Sequence, residues 1–79
     1  MANRETIKKV NNELRYGDKR VLASRTGLSV LTVNRFFNGK ENELIEDTHT
    51  KIMTAALEII EERQKREKAL EKKTNSILG

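Results

Sequence analysis

Apolar residues recur three and four positions apart along most of this chain, and glycines interrupt the pattern at near-regular intervals. Ile7, Val10 and Leu14 mark a first helix, which Asn3 can cap and Gly17 stops. Asp18 stands where an N-cap is expected for a second, very short helix carrying Val21, Leu22 and Ala23, and Gly27 breaks it after two turns. Ser29 caps a third helix, with Thr32 three residues on and Val33, Phe36 and Phe37 on its inner side. Asn38-Gly39 ends that helix, because glycine enters the left-handed conformation at little cost. Residues 40–46 read as a polar loop holding Leu44 and Ile45, with room for a short fifth helix in 41–46, and a long helix starts near Asp47. The pattern predicts an all-α fold of four to five helices.

The long helix has two unlike halves. Ile52, Ala55, Ala56, Ile59 and Ile60, with Met53 and Leu57 beside them, form a broad apolar face. From Glu61 to Lys73 the only apolar residues are Ala69 and Leu70. Glu61–Lys65, Glu62–Arg66 and Arg63–Glu67 are opposite charges four apart, each adding about 0.3 kcal/mol to an exposed helix. This stretch holds no heptad stripe of the length a coiled coil needs. The chain therefore divides into a domain over 1–62 and a charged, solvated tail over 63–79, for which a dimerisation arm is the competing reading.

Size and composition narrow the function. Seventy-nine residues make one small domain, burying only about 60% of the surface its unfolded chain exposes. A deep catalytic cleft beside a core does not fit, so no enzyme is expected. With no cysteine and His49 as the lone histidine, no metal site and no cofactor are expected. Neither a membrane-length apolar run nor a signal-peptide core occurs in the sequence. A soluble, cytoplasmic binding module remains.

Charge then points to a partner. The net charge is +4, and it resides in the first half: 46–79 is balanced, whereas 15–40 sets Arg15, Lys19, Arg20, Arg25, Arg35 and Lys40 against Asp18 alone. Such a local excess is the footprint of a polyanion-binding face or of a merely solvated basic surface. Within 19–38, KRVLASRTGLSVLTVNRFFN, the offsets of Ala23, Gly27, Val33 and Phe36 suit two short helices crossing steeply. The small residue permits close approach, the glycine takes the turn, and the two apolar residues lock the second helix down. Ser29 leaves the start of that helix open to a phosphate.

This segment resembles a helix-turn-helix of the lambda-repressor-like superfamily, and most nearly the headpiece of the lac repressor family. VLASRTGLSVLTVNRFFNGK is similar to that family's hydrophobic–Ala pair, Gly-hydrophobic-Ser turn, Thr-Val-x-Arg and closing Asn-Gly, and DTHTKIMTAALEI to its following helix. The likeness spans about residues 18–60, and helix 3–16 fits the superfamily's wider layout. The family's large effector-binding domain has no counterpart in this sequence, so no small-molecule effector is expected. Val30 and Leu31 also depart from the polar or aromatic residues common at the first two positions of the family's recognition helix.

The resemblance implies double-stranded DNA as partner, with helix 29–38 in the major groove, in a small transcriptional regulator of bacterial, phage or mobile-element type. Arg35 takes the place of the family's groove-reading arginine, and a guanidinium suits the two acceptors of guanine. Asn34 is a second candidate for base contact, and Val30 and Leu31 can offer apolar contact to thymine methyls unless they pack on the loop around Leu44. Lys19, Arg20, Arg25, Ser29, Thr32, Asn38 and Lys40 are candidates for phosphate contacts, which position without reading sequence. Phe36 and Phe37 belong to the core; Tyr16 is expected at the core edge with its hydroxyl in water, a phosphate hydrogen bond being the alternative, and His49 exposed in the first turn of the long helix. Glu58, Glu61 and Glu62 have no histidine or cysteine near them in sequence and are assigned no chemistry. A homodimer is the usual remedy for the small footprint of one such module. Two other classes stay open: a protein-interaction or assembly module reusing the fold, and a nonspecific architectural DNA binder.

Overall fold

In the computed structural model, which describes residues 3–79, Asn3 opens the first helix as its side chain allows: Oδ1 accepts from the Thr6 amide at 2.8 Å. Four α-helices and a single 3-10 turn follow among the described residues, with no strand: α1 (Arg4–Glu13), α2 (Asp18–Thr26), α3 (Val30–Phe37), the turn Glu41–Glu43, and α4 (Glu46–Leu78). The long helix starts one residue before Asp47, and Glu46 and Asp47 lie in its first turn, where carboxylates suit the helix dipole.

The three short helices gather around the first half of α4. Ile7 and Val10 of α1, Leu22 and Ala23 of α2, Val33, Phe36 and Phe37 of α3, and Ile52, Ala55, Ala56 and Ile59 of α4 form one buried core. Leu14, Leu28, Leu44, Met53 and Ile60 close its rim. Val21 and Leu57, although inside the same apolar runs, face outward. For Leu57 helical geometry is the reason, since it falls off the three-four spacing that His49, Ile52, Ala55, Ala56 and Ile59 keep.

α2 and α3 are joined by Gly27, Leu28 and Ser29. Gly27 has φ +74°, the left-handed conformation that an L side chain resists. Ser29 caps α3, its Oγ accepting from the Thr32 amide at 3.1 Å. At the other end the Lys40 amide donates to the Arg35 carbonyl at 3.0 Å across Gly39, closing a Schellman turn.

His49 is buried, not exposed: 2% of its surface is accessible. It stands three residues before Ile52 and so shares the inner face of α4. The 3-10 turn brings the Glu41 carbonyl to the edge of the ring, where Nε2 donates to it at 2.6 Å, and Phe36 packs edge-on with centroids 5.1 Å apart. Tyr16 is the opposite case. Expected at the core edge, it is fully exposed, because α1 ends at Glu13 and extended backbone at Leu14 turns the chain away before Tyr16 is reached.

Asp18 is not the N-cap of α2; Gly17 holds that position and Asp18 is the first helical residue. Its carboxylate has other partners. Oδ2 accepts from the Arg15 amide at 2.7 Å, and Arg63 of α4 donates through Nη2 to both oxygens, at 2.6 Å to Oδ1. Arg63 also donates through Nη1 to the Glu13 carbonyl at 3.3 Å. One side chain of α4 thus ties the end of α1 to the start of α2. Burial alone would push the Asp18 carboxyl up, but the Arg15 amide and the Arg63 guanidinium outweigh it and hold its pKa below the ordinary value.

Arg63 is therefore not paired with Glu67, nor Glu62 with Arg66. Glu67 bridges to Arg15 at 2.7 Å and Glu62 to Arg25 at 2.9 Å, while Glu61–Lys65 forms within the helix at 3.2 Å. Arg15, in the connection between α1 and α2, and Arg25 of α2 lie within reach, and a bridge between elements competes with the neighbour four residues along. Beyond Arg63 every residue of α4 is exposed. At about 1.5 Å per residue its 33 residues span about 50 Å, matching the 51 Å long axis of the molecule.

Candidate nucleic-acid interface

α3 is held by its inner face. Val33 and Phe36 have no accessible surface, and Phe37 stands edge-on to Phe36 with ring centroids 5.0 Å apart. Fixing those three fixes what faces out. Leu31 and Arg35, four residues apart, lie one over the other on the solvent side, and Val30 and Asn34 form a second such pair on the flank. Leu31 is 61% and Val30 41% exposed, so neither is packed away on the loop around Leu44. Arg35 is exposed and Asn34 half-buried.

The start of α3 is tightly bonded. The Ser29 and Thr32 hydroxyls lie 3.0 Å apart, and Ser29 Oγ also accepts the Thr32 amide. Capping thus already engages both side chains, though Ser29 Oγ keeps capacity for one further partner and Thr32 Oγ1 for two.

The basic residues fall into two groups. Lys19 reaches across from the first turn of α2 to the end of α3, its Nζ 5.5 Å above the centre of the Phe37 ring. Arg20 and Arg35 are exposed and form no ion pair among the described residues. Asn38 and Lys40 are exposed just past the end of α3, Lys40 with a loose 3.8 Å pairing to Glu43. Arg25 does not join this surface. Its guanidinium turns to α4 and binds Glu62, on the wall of an open groove of about 390 Å³ that Thr26, Thr50, Thr54 and Lys51 also line. Between Lys19 and Lys40 the chain carries no carboxylate side chain, so nothing within that stretch offsets the positive field.

Below this surface, Glu41 fastens the turn after α3. Its Oε1 accepts from Arg4 Nε at 2.9 Å, and its own backbone amide together with Arg4 holds the carboxyl below its usual pKa. Tyr16, expected at the core edge, is instead fully exposed. It lines a corner of about 320 Å³ with Asn11, Leu14, Arg15, Gly17 and Lys19. Its place three residues beyond the end of α1, flanked by Arg15 and Gly17, was the available signal.

No group of three or more histidine, cysteine or acidic side chains among the described residues could hold a metal ion. None of the described helices is long and apolar enough to cross a membrane. The chain matches no family model, no curated protein and no solved structure.

Proposed function

We propose that this protein binds double-stranded DNA sequence-specifically, as a small cytoplasmic transcriptional regulator that seats α3 in the major groove. The observation that carries the reading is the outer face of α3: Leu31 and Arg35 stand exposed on a helix whose other face is locked in the core, within a stretch free of carboxylates. On this reading α2 and α3 form a helix-turn-helix, in keeping with the likeness of residues 18–60 to the lac repressor headpiece. Arg35 donates to guanine O6 and N7, Asn34 sits beside it, and Lys19, Arg20, Ser29, Thr32, Asn38 and Lys40 engage the phosphates on either side. Two copies on half-sites one helical turn apart would supply the contact area that one module lacks.

Selection of bound sequences from a random duplex library tests this, with Arg35→Ala run in parallel. A consensus is expected, and the variant should lose information at one position and roughly 5- to 150-fold in affinity. Because Glu62 already neutralises Arg25, the cations left to displace counterions are Lys19, Arg20, Arg35 and, in part, Lys40. Log K against log[salt] should then fall with a slope of about −3 to −4. Salt-sensitive binding with no consensus would identify a nonspecific architectural binder. Absence of binding at low salt would favour protein docking through exposed Val30 and Leu31.

A further inference from the structure

Two aliphatic–polar pairs face out from α3: Leu31 over Arg35, and Val30 over Asn34. The leading residue of each pair can neither donate nor accept a hydrogen bond. The other polar side chains at the start of α3, the hydroxyls of Ser29 and Thr32, are bonded to each other, and Ser29 Oγ to the Thr32 amide as well. The first turn of α3 thus meets a base edge chiefly with hydrocarbon. In the major groove the apolar group that a base presents is the methyl on pyrimidine C5. Leu31 and Arg35 are separated by about 6 Å along the helix axis, less than two base-pair rises, so a methyl under Leu31 lies next to a guanine under Arg35 or one step beyond it.

Resting on the DNA-binding reading above, we infer that this protein recognises C5-methylated pyrimidines as such, accepting thymine and 5-methylcytosine alike beside the guanine held by Arg35. The two bases share the methyl and differ at position 4, where thymine carries an accepting oxygen and cytosine a donating amine. Val30 and Leu31 have no group that senses this difference. Methylating a cytosine at that step therefore converts a poorly held site into a well held one.

The test uses the intact chain and the duplex it selects, made in four forms: unaltered; with uracil for every thymine; with cytosine at the thymines flanking the guanine; and with 5-methylcytosine at those same positions. Affinities are read by fluorescence anisotropy. Removing each covered methyl should weaken binding about fourfold, so the uracil duplex binds more weakly than the unaltered one and the 5-methylcytosine duplex more tightly than its cytosine counterpart. Leu31→Ala, a change at an exposed position, should shrink both gaps. Equal affinity for the thymine and uracil duplexes overturns the inference and leaves DNA binding standing. So does a gap that persists unchanged in both Leu31→Ala and Val30→Ala. Failure to select any duplex overturns the underlying reading instead.

Discussion

Arg63→Ala is the substitution with the most to say about how this fold is held together. The wild-type side chain is 16% exposed and that of Asp18 11%, and the guanidinium reaches both carboxylate oxygens and the Glu13 carbonyl. A hydrogen bond to a charged group contributes about 1.5–3 kcal/mol. Breaking a fully buried pair costs about 3–5 kcal/mol. Residual water at the rim reduces this, leaving an expected loss of about 2–3 kcal/mol. For a chain of this length, with a total stability of roughly 4–12 kcal/mol, that is a large share. It corresponds to a fall of about 10 °C or more in melting temperature, read by far-ultraviolet circular dichroism and checked by urea titration. Lys65→Ala breaks only an exposed pair and should change stability by under about 0.5 kcal/mol. Combining Arg63→Ala with Asp18→Asn should reveal a coupling of about 1–2 kcal/mol. An Arg63→Ala variant melting within about 2 °C of the parent would refute the claim that α4 ties α1 to α2 through this side chain.

Acid should act through the same pair. The Asp18 carboxyl titrates lower in the folded protein than in the unfolded chain, so its contribution is complete above the unfolded value of about 3.9 and is lost as pH falls through the folded one. Melting temperature should start to drop as pH falls below about 4 and keep dropping through the folded value, and less steeply in Asp18→Asn, when melts are recorded across that range. His49→Ala should lose about 2–4 kcal/mol in urea titration, because it empties a site beside Phe36 and strips the Glu41 carbonyl of its donor. Gly27→Ala meets no atom within 4 Å, so its cost is backbone strain alone. About 1–2 kcal/mol is expected by the same titration, and less for Gly27→Asn, which tolerates the left-handed conformation better.

The helices were legible where local chemistry and global packing agree. Asn3, Ser29, Gly27 and the Asn38-Gly39 stop each do in the structure what their residue types dispose them to do, and Val33, Phe36 and Phe37 face inward as their spacing requires. Legibility failed where a residue's partner lies far away in sequence. Asp18 reads as a cap because aspartate caps helices; only the fold brings Arg63, forty-five residues on, to its carboxylate. Arg25 reads as a free cation until α4 carries Glu62 alongside it. His49 was misjudged for another reason. Its three-residue spacing to Ile52 placed it on the buried face, but a polar type in a polar first turn masked that signal, and its acceptor is a backbone carbonyl that leaves no trace in sequence. The outward placement of Val30, Leu31 and Arg35 was readable because it follows from helical geometry once the inner face is known.

The exposure of Tyr16 has a spectroscopic consequence. It is the sole tyrosine, and the chain has no tryptophan, so it dominates the near-ultraviolet absorption and emission of the protein. Its side chain is as wet in the native state as in an unfolded chain. A denaturation followed by tyrosine emission should therefore be nearly flat while the far-ultraviolet signal collapses, and a laboratory relying on that fluorescence alone would mistake a cooperative fold for an unfolded one. The same blindness to folding makes the ring a clean reporter. A change in its emission on mixing signals that something has covered the corner between α1 and α2, with no label added and no residue replaced.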